Sequence, residues 1–401
     1  MRVLFVSHQP PLPTDSGARL RTFHLLEELS GRCSVRLVTY DRQPGSALEP
    51  VSGAALEAAL PQLERVSVVP APAFDRRRRQ LGALLTRRSY AALMIASEAL
   101  SGRVRVELDD FEPDLVHCDS LFLGFLREAV SRDGASWVLA LHNSESVLMK
   151  RLAATATERS RALLYRSEAG ALERLEHDHA ARFDHCTCVT DRESELFRRH
   201  NPSTVTIPNG VGTRPEPRAP TRPAEGEPLR LLFVGTQSYE PNRQGLAWFV
   251  HEVMPLLRER VALAVDVVGP GRRGAALPGV NHLGRVEDLT PCYERAHAAV
   301  VPLLAGGGSR LKVLEALAHG VPLVSTSIGV EGFDLADGEH ALIADDPSGL
   351  AERLVDLDRD LREGGGLATP LQSSGYAYAT GFFWPRIGEL LFDTYREWAA
   401  G

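Results

Sequence analysis

Lysine is nearly absent from this chain. Of 45 lysine and arginine residues, only Lys150 and Lys312 are lysine, so arginine stands almost wherever a cation is needed. The cysteines are few, odd in number and scattered (Cys33, Cys118, Cys186, Cys188, Cys292). No pair has zinc-finger spacing, which points to reduced core thiols and away from a metal site. Long apolar runs are missing too, so no segment is expected to span a bilayer. Residues 1–7 turn polar too soon for a signal peptide, and the expected location is cytoplasmic. Positive charge is not in excess: the formal net charge is −7, which argues against a general nucleic-acid binder. No Gly-x-Gly-x-x-Gly follows either candidate first strand, against a nicotinamide dehydrogenase. No Asp-x-Asp stands near a strand end, so a metal-independent chemistry is expected.

What is present is a repeated α/β pattern. A length of 401 residues predicts two domains. Residues 3–6 form a short apolar run, as in a strand buried on both faces. A Pro/Gly turn containing Gly17 follows, then a helix over 18–29. Strands are predicted over 34–39, 66–69, 115–117, 137–141 and 186–189. A proline-rich stretch then breaks the pattern and reads as a linker over 206–228. The pattern restarts with a strand over 231–235 and a helix over 244–258. Strands over 262–268 and 280–283 come next, then a helix over 289–298. A strand over 299–302, a helix over 309–318 and a strand over 321–325 complete it. The expected fold is α/β, with two doubly wound Rossmann-like domains, 1–205 and 229–378, facing a cleft. The tail 379–401 carries Phe382, Trp384, Ile387, Leu391, Tyr395 and Trp398 and reads as an amphipathic helix packing back on the first domain.

Lys312 lies in Gly306-Gly307-Gly308-Ser309-Arg310-Leu311-Lys312-Val313-Leu314-Glu315. Glycines allow close backbone approach to an anion, and a helix N-terminus supplies N–H groups and partial positive charge. Lys312 and Glu315, three apart, share a helix face: one suits a phosphate, the other a sugar diol. A plain intrahelical ion pair would have the same spacing. His142 and His117 each end a predicted strand; either is a candidate to meet a sugar or an acceptor, or a buried core histidine. Arg76–Arg79 with Arg87 and Arg88 flank leucines. The segment Arg76–Arg88 is a candidate peripheral membrane contact or a solvated helix face.

The stretch from Pro302 to Thr326 resembles the donor-binding signature of retaining GT-B glycosyltransferases of family 4. Phe233-Val234-Gly235-Thr236, Gly284-Arg285-Val286, Gly329-Val330-Glu331-Gly332 and Ile207-Pro208-Asn209-Gly210-Val211 follow the same family's pattern in order. The resemblance implies transfer of a sugar from a nucleotide diphosphate donor to an acceptor hydroxyl with retention of configuration. No cofactor is implied, the nucleotide sugar being a substrate. The acceptor would be a glycan, a lipid-linked molecule or a small molecule. Glu315 would hold ribose hydroxyls and Val286 the base. Arg310, Lys312 and the backbone of Gly307, Gly308 and Ser309 would meet the diphosphate, with Leu314 in the same donor segment. Gly17 would approach from the first domain and His142 would act at the transferred sugar. Two positions depart from the family: Gly307 replaces a frequent carboxylate, and Thr236 replaces a frequent arginine, leaving Arg243 nearby. Phosphate charge then falls on Lys312, Arg310 or Arg243. A nucleotide-sugar epimerase of the same architecture, or a non-catalytic nucleotide-sugar binder, would share much of this pattern.

Overall fold

Strand β1 (Arg2–Ser7) buries Val3, Leu4, Phe5 and Val6 completely, which requires cover on both faces of its sheet. The computed structural model describes residues 1–46, 48–73, 88–130, 134–156, 158–217, 219–271 and 279–400. The chain forms two units, Met1–Asn209 together with the stretch from Trp384 onward, and Gly210–Phe383.

In the first unit β1 is joined by β2 (Ser34–Tyr40), β3 (Arg65–Val69), β4 (Leu115–Cys118), β5 (Ser136–Leu141), β6 (His185–Cys188) and β7 (Thr204–Thr206). Among the described residues the order is β3-β2-β1-β4-β5-β6-β7, parallel throughout. The second unit holds β8 (Leu229–Val234), β9 (Leu263–Val268), β10 (Val280–Gly284), β11 (Ala298–Val301), β12 (Leu323–Ser325) and β13 (Leu342–Ile343). Its order is β10-β9-β8-β11-β12-β13, again parallel. In each sheet the strand order reverses beside the first strand, between β1 and β4 and between β8 and β11. Ligand sites of doubly wound sheets lie at such switch points, beyond the carboxyl ends of the strands.

The pleat sorts β1 side chains to two cores. Leu4 and Val6 join a cluster with Val38, Val116 and Leu139. Val3 and Phe5 face Leu25, Leu26 and Leu29 of the helix Gly17–Ser30, together with Trp384, Ile387, Leu391 and Tyr395. Those last four belong to the terminal helix Trp384–Ala400. The two helices approach so closely that a Cβ on Gly388 would lie 2.4 Å from the Cβ of Glu28, hence the glycine. Arg21, also buried, donates to the carbonyls of Ile207 at 2.8 Å and Pro208 at 2.7 Å. It fastens the helix Gly17–Ser30 to the end of the unit's first segment.

Three expectations change. The boundary falls between Asn209 and Gly210, within the stretch read as a linker. Residues after it pack on the second unit: Val211 bridges to Phe383, and Tyr376 donates to the Arg214 carbonyl at 2.9 Å. Val211 is apolar enough to be buried there despite the surrounding prolines. The helix expected over 244–258 starts at Glu240 and is broken by a π turn, Phe249–Val253. The helix expected over 289–298 is only Thr290–Glu294. There His297 turns out to meet Arg230, donating its N–H to the Arg230 carbonyl at 2.9 Å while its ring accepts from Arg230 N at 2.8 Å. No helix among the described residues is long and apolar enough to cross a membrane. The segment Arg76–Arg88 lies outside the described residues except for Arg88.

Leu391 is 1% exposed in the core shared with β1. Leu391→Ala should therefore lower unfolding free energy by about 3 kcal/mol, measured as a shift in urea midpoint; an unchanged midpoint would mean the terminal helix contributes no stability.

Candidate functional site

The chain following β8 turns at Gly235, where a Cβ would meet the Asn242 amide at 2.6 Å and Lys312 Nζ at 2.9 Å. Lys312 rises from the first turn of the helix Leu311–Ala318, which begins at Arg310 without a side-chain cap. Its Nζ donates to Asn242 Oδ1 at 2.7 Å and lies 4.8 Å from the centre of the Phe233 ring. Asn242 in turn donates to the Thr236 carbonyl at 3.0 Å. One amide thus ties the cation to the loop after β8. Burial pushes the Lys312 ammonium down to about 7, with Glu315 pulling it up and Arg310 pressing it further down. An ammonium so poorly compensated gains most from an incoming anion.

Glu315, one turn further on, accepts from the Tyr293 hydroxyl at 3.1 Å. Tyr293 is 1% exposed and stacks on His319 at 4.4 Å between ring centres. His319 Nδ1–H is spent on the Glu315 carbonyl at 2.7 Å. Burial raises the Glu315 carboxyl, and the hydrogen bond from Tyr293 and the charge of Lys312 only partly offset this. Lys312 and Glu315 hold separate partners, and no ion pair joins them among the described residues. The spacing that allowed an intrahelical pair is used instead to present two functional groups.

The remaining donor-side residues are distributed as follows. Gly307 is partly exposed, Gly308 takes φ +65°, and Ser309 is partly exposed, all on the turn before the helix. Leu314 is fully buried among Tyr293, Val313 and Leu317, with Val286 packed at the edge of that cluster. Arg243 is drawn onto Glu240, with Nε–Oε2 at 2.9 Å, on the exposed first turn of its helix. Arg310, expected to face an anion, is turned in this structure to the backbone. It is 7% exposed; its Nη1 donates to the carbonyls of Gly308 and, at 3.0 Å, Glu331, and its Nη2 lies 3.6 Å from the Glu331 carboxylate. The guanidinium braces the glycine turn, because the carbonyls of that tight turn have no helical partners. A separate polar depression of about 520 Å³ contains Arg230, Asp266, Arg295 and His297. Arg230 and His297 lie at the starts of β8 and β11, opposite to the end that carries Gly235.

The first unit builds a second cluster at its own switch point. Gly17 opens the helix Gly17–Ser30 and is exposed. Asp119, just beyond β4, is 1% exposed. Its Oδ1 accepts from His142 Nε2 at 2.9 Å and from His117 Nε2 at 3.3 Å; its Oδ2 accepts from the Thr22 hydroxyl. Burial alone would raise this carboxyl, but its interactions with His142 and His117, hydrogen bonds among them, outweigh it and hold it well below the usual range. His117 is not a solvent-facing candidate. It is 1% exposed, stacked on Phe5 at 4.2 Å, and paired through Nδ1 with the Tyr395 hydroxyl. Burial lowers its pKa, against the pull of Asp119. His142, by contrast, leaves 20% of its side chain exposed. His8, after β1, is pushed down to about 4 by burial and by His142 and Arg19, against the pull of Asp119. Asp119, Thr22 and Tyr293 were not singled out from sequence. For Asp119 a signal existed: a carboxylate two residues after a strand-end histidine.

Comparison with known proteins fits this geometry. Residues 228–360 match the family described as glycosyl transferases group 1, and residues 16–210 match the glycosyl transferase 4-like domain. An uncharacterized 44.6 kDa protein in the cps region of Klebsiella pneumoniae is 23% identical over 383 residues, covering 90% of this chain and 92% of the relative. A phosphatidyl-myo-inositol mannosyltransferase of Mycobacterium leprae is 29% identical over 175 residues, 40% of this chain and 46% of that protein. In fold the chain resembles a sucrose-phosphate synthase from Thermosynechococcus elongatus (TM-score 0.71, 18% identity, all of both chains). It also resembles Anabaena HepE solved with UDP (TM-score 0.67, 15% identity, 99% of this chain and 100% of that one).

The depressed ammonium has a consequence for stability. The unfolded chain holds the Lys312 proton to about 10.5, whereas the folded chain releases it near 7. Between these values the unfolded state binds more protons, so this group makes stability rise with pH from 7 towards 10. Lys312→Met should remove that rise, checked by urea unfolding at pH 7 and pH 9.

Proposed function

The chain belongs to the group 1, family 4-like glycosyltransferases of GT-B fold and is a glycosyltransferase using a nucleotide-sugar donor; from that premise we propose metal-independent transfer to an acceptor hydroxyl with retention of anomeric configuration. The observation that carries the reading is the single helix turn that presents Lys312 and Glu315 on separate partners.

Glu315, still holding one acceptor oxygen beyond its bond to Tyr293, takes the ribose hydroxyls. Val286 borders the base. Lys312 leaves Asn242 for the diphosphate, helped by the backbone around Gly307, Gly308 and Ser309. Thr236 and Arg243 flank the same turn, and Gly17 opens a helix N-terminus suited to negative charge. Arg310 serves by holding the glycine turn. His142 meets a hydroxyl of the reacting substrates.

In the reaction the bond from the anomeric carbon to the diphosphate oxygen breaks, and a bond to the acceptor oxygen forms on the same face of the sugar. The acceptor proton passes to the departing phosphate. The protein then has to stabilise charge on the leaving group and hold both substrates in place. Lys312 supplies the first without a metal. UDP sugars are the first donors to test, because HepE was solved with UDP and with UDP-glucose.

Calorimetry on Lys312→Ala should show nucleoside diphosphate affinity falling roughly 30-fold, as expected for a lost charged hydrogen bond, with nucleoside affinity within twofold of wild type. Equal losses for both ligands would remove the phosphate role. Separately, NMR of the glycoside formed in the presence of a chelator should give the donor's own anomeric configuration at an undiminished rate. An inverted product, or loss of rate on chelation, would refute the mechanism.

A further inference from the structure

We propose that Asp119 is a positioning residue that fixes the His142 ring with its hydrogen on Nε2, so that His142 offers Nδ1 to the substrates as a hydrogen-bond acceptor. This rests on the reading that His142 serves the transfer reaction.

The argument is one of donors and acceptors. An ionised carboxylate can only accept, and Asp119 Oδ1 lies 2.9 Å from His142 Nε2, so that nitrogen carries a hydrogen. In the neutral ring Nδ1 then has the lone pair. Among the described residues Nδ1 has no hydrogen-bond partner, and the side chain keeps 20% exposure. A lone pair suits a sugar or acceptor hydroxyl and repels a phosphate oxygen. His142 is thereby assigned to hydroxyls, while the anionic part of the donor falls to Lys312.

The other groups around Asp119 hold it in place. The Thr22 hydroxyl lies against Oδ2 and also 2.9 Å from the Ala18 carbonyl of its own helix, so its one hydrogen is shared between them. His117 Nε2–H, at 3.3 Å, leaves His117 Nδ1 to accept from Tyr395. A chain of oriented bonds therefore runs from Tyr395 through His117 and Asp119 to His142. The charged or titratable groups that face this chain are His8, Arg21, Cys118 and, beside Tyr395, Cys33, with Arg19 facing His8. Arg21 is already turned to the carbonyls of Ile207 and Pro208. Thr22 lies one turn from Gly17 on the same helix, so Asp119 also sets that helix against the His142 ring.

The test uses the full chain. Long-range proton–nitrogen NMR of the wild-type histidine rings, with His142 assigned by its absence from His142→Ala, should show hydrogen on Nε2. Hydrogen on Nδ1 in the wild type, alone or together with Nε2, overturns the proposal without any variant having to fold. Asp119→Asn, whose amide can donate to Nε2, should scramble or reverse that signature. It should lower kcat about 100-fold while donor KM stays within about twofold, and the double variant with His142→Ala should be no slower than the slower single one. Losses that multiply would make Asp119 an independent structural residue. Wild-type turnover in His142→Ala would remove the reading on which the proposal rests, and the ring signature would distinguish that failure from a wrong tautomer.

Discussion

A sheet of parallel strands exposes no face to water, and the first unit meets this requirement with residues from both ends of its sequence. Phe5 and Val3 are covered on one side by the helix Gly17–Ser30 and by Trp384–Ala400. The terminal helix also delivers the Tyr395 hydroxyl to His117. Through His117 that contact reaches Asp119, and through Asp119 it reaches His142. Hydrophobic cover and polar orientation are therefore consequences of one packing event.

Both switch points place charge where water is scarce. In the second unit Lys312 is short of compensation, which suits a group awaiting an anion. In the first unit Asp119 is fully compensated by three donors, which suits a group that must not move. The two arrangements use the same physics with opposite intent. Desolvation makes an unpaired charge reactive, and complete pairing makes it a fixed reference. Arg310 belongs with Asp119 in this respect, since its acceptors on the Gly308 and Glu331 backbone hold a turn in shape.

The strands at 3–6 and 231–235 were legible because unbroken apolar runs fit only positions buried on both faces. The helix beginning near Leu311 was legible because Gly and Ser stop and Leu, Val and Ala resume at helical spacing. Helix limits were less so. Thr290–Glu294 ends early because His297 is taken by Arg230, a partner far away in sequence. The same distance hid the site's supports. An aspartate after a strand reads as an ordinary turn residue until Thr22, His117 and His142 converge on it. The sequence marked Lys312 by rarity, but Asn242, its partner, is an unremarkable amide on the first turn of a helix. Arg310 looked like a cation for a ligand because its acceptors are backbone carbonyls, which carry no signature in the sequence.

The chain leaves the first unit after Asn209 and returns to it at Trp384, so the second unit is an insertion within the first. During synthesis the inserted unit has its whole sequence available before the first unit does. The N-terminal sheet must wait, with one apolar face only partly covered, until Trp384–Ala400 has emerged. A nascent chain that still lacks Trp384–Ala400 would thus leave the surface around Val3 and Phe5 only partly covered.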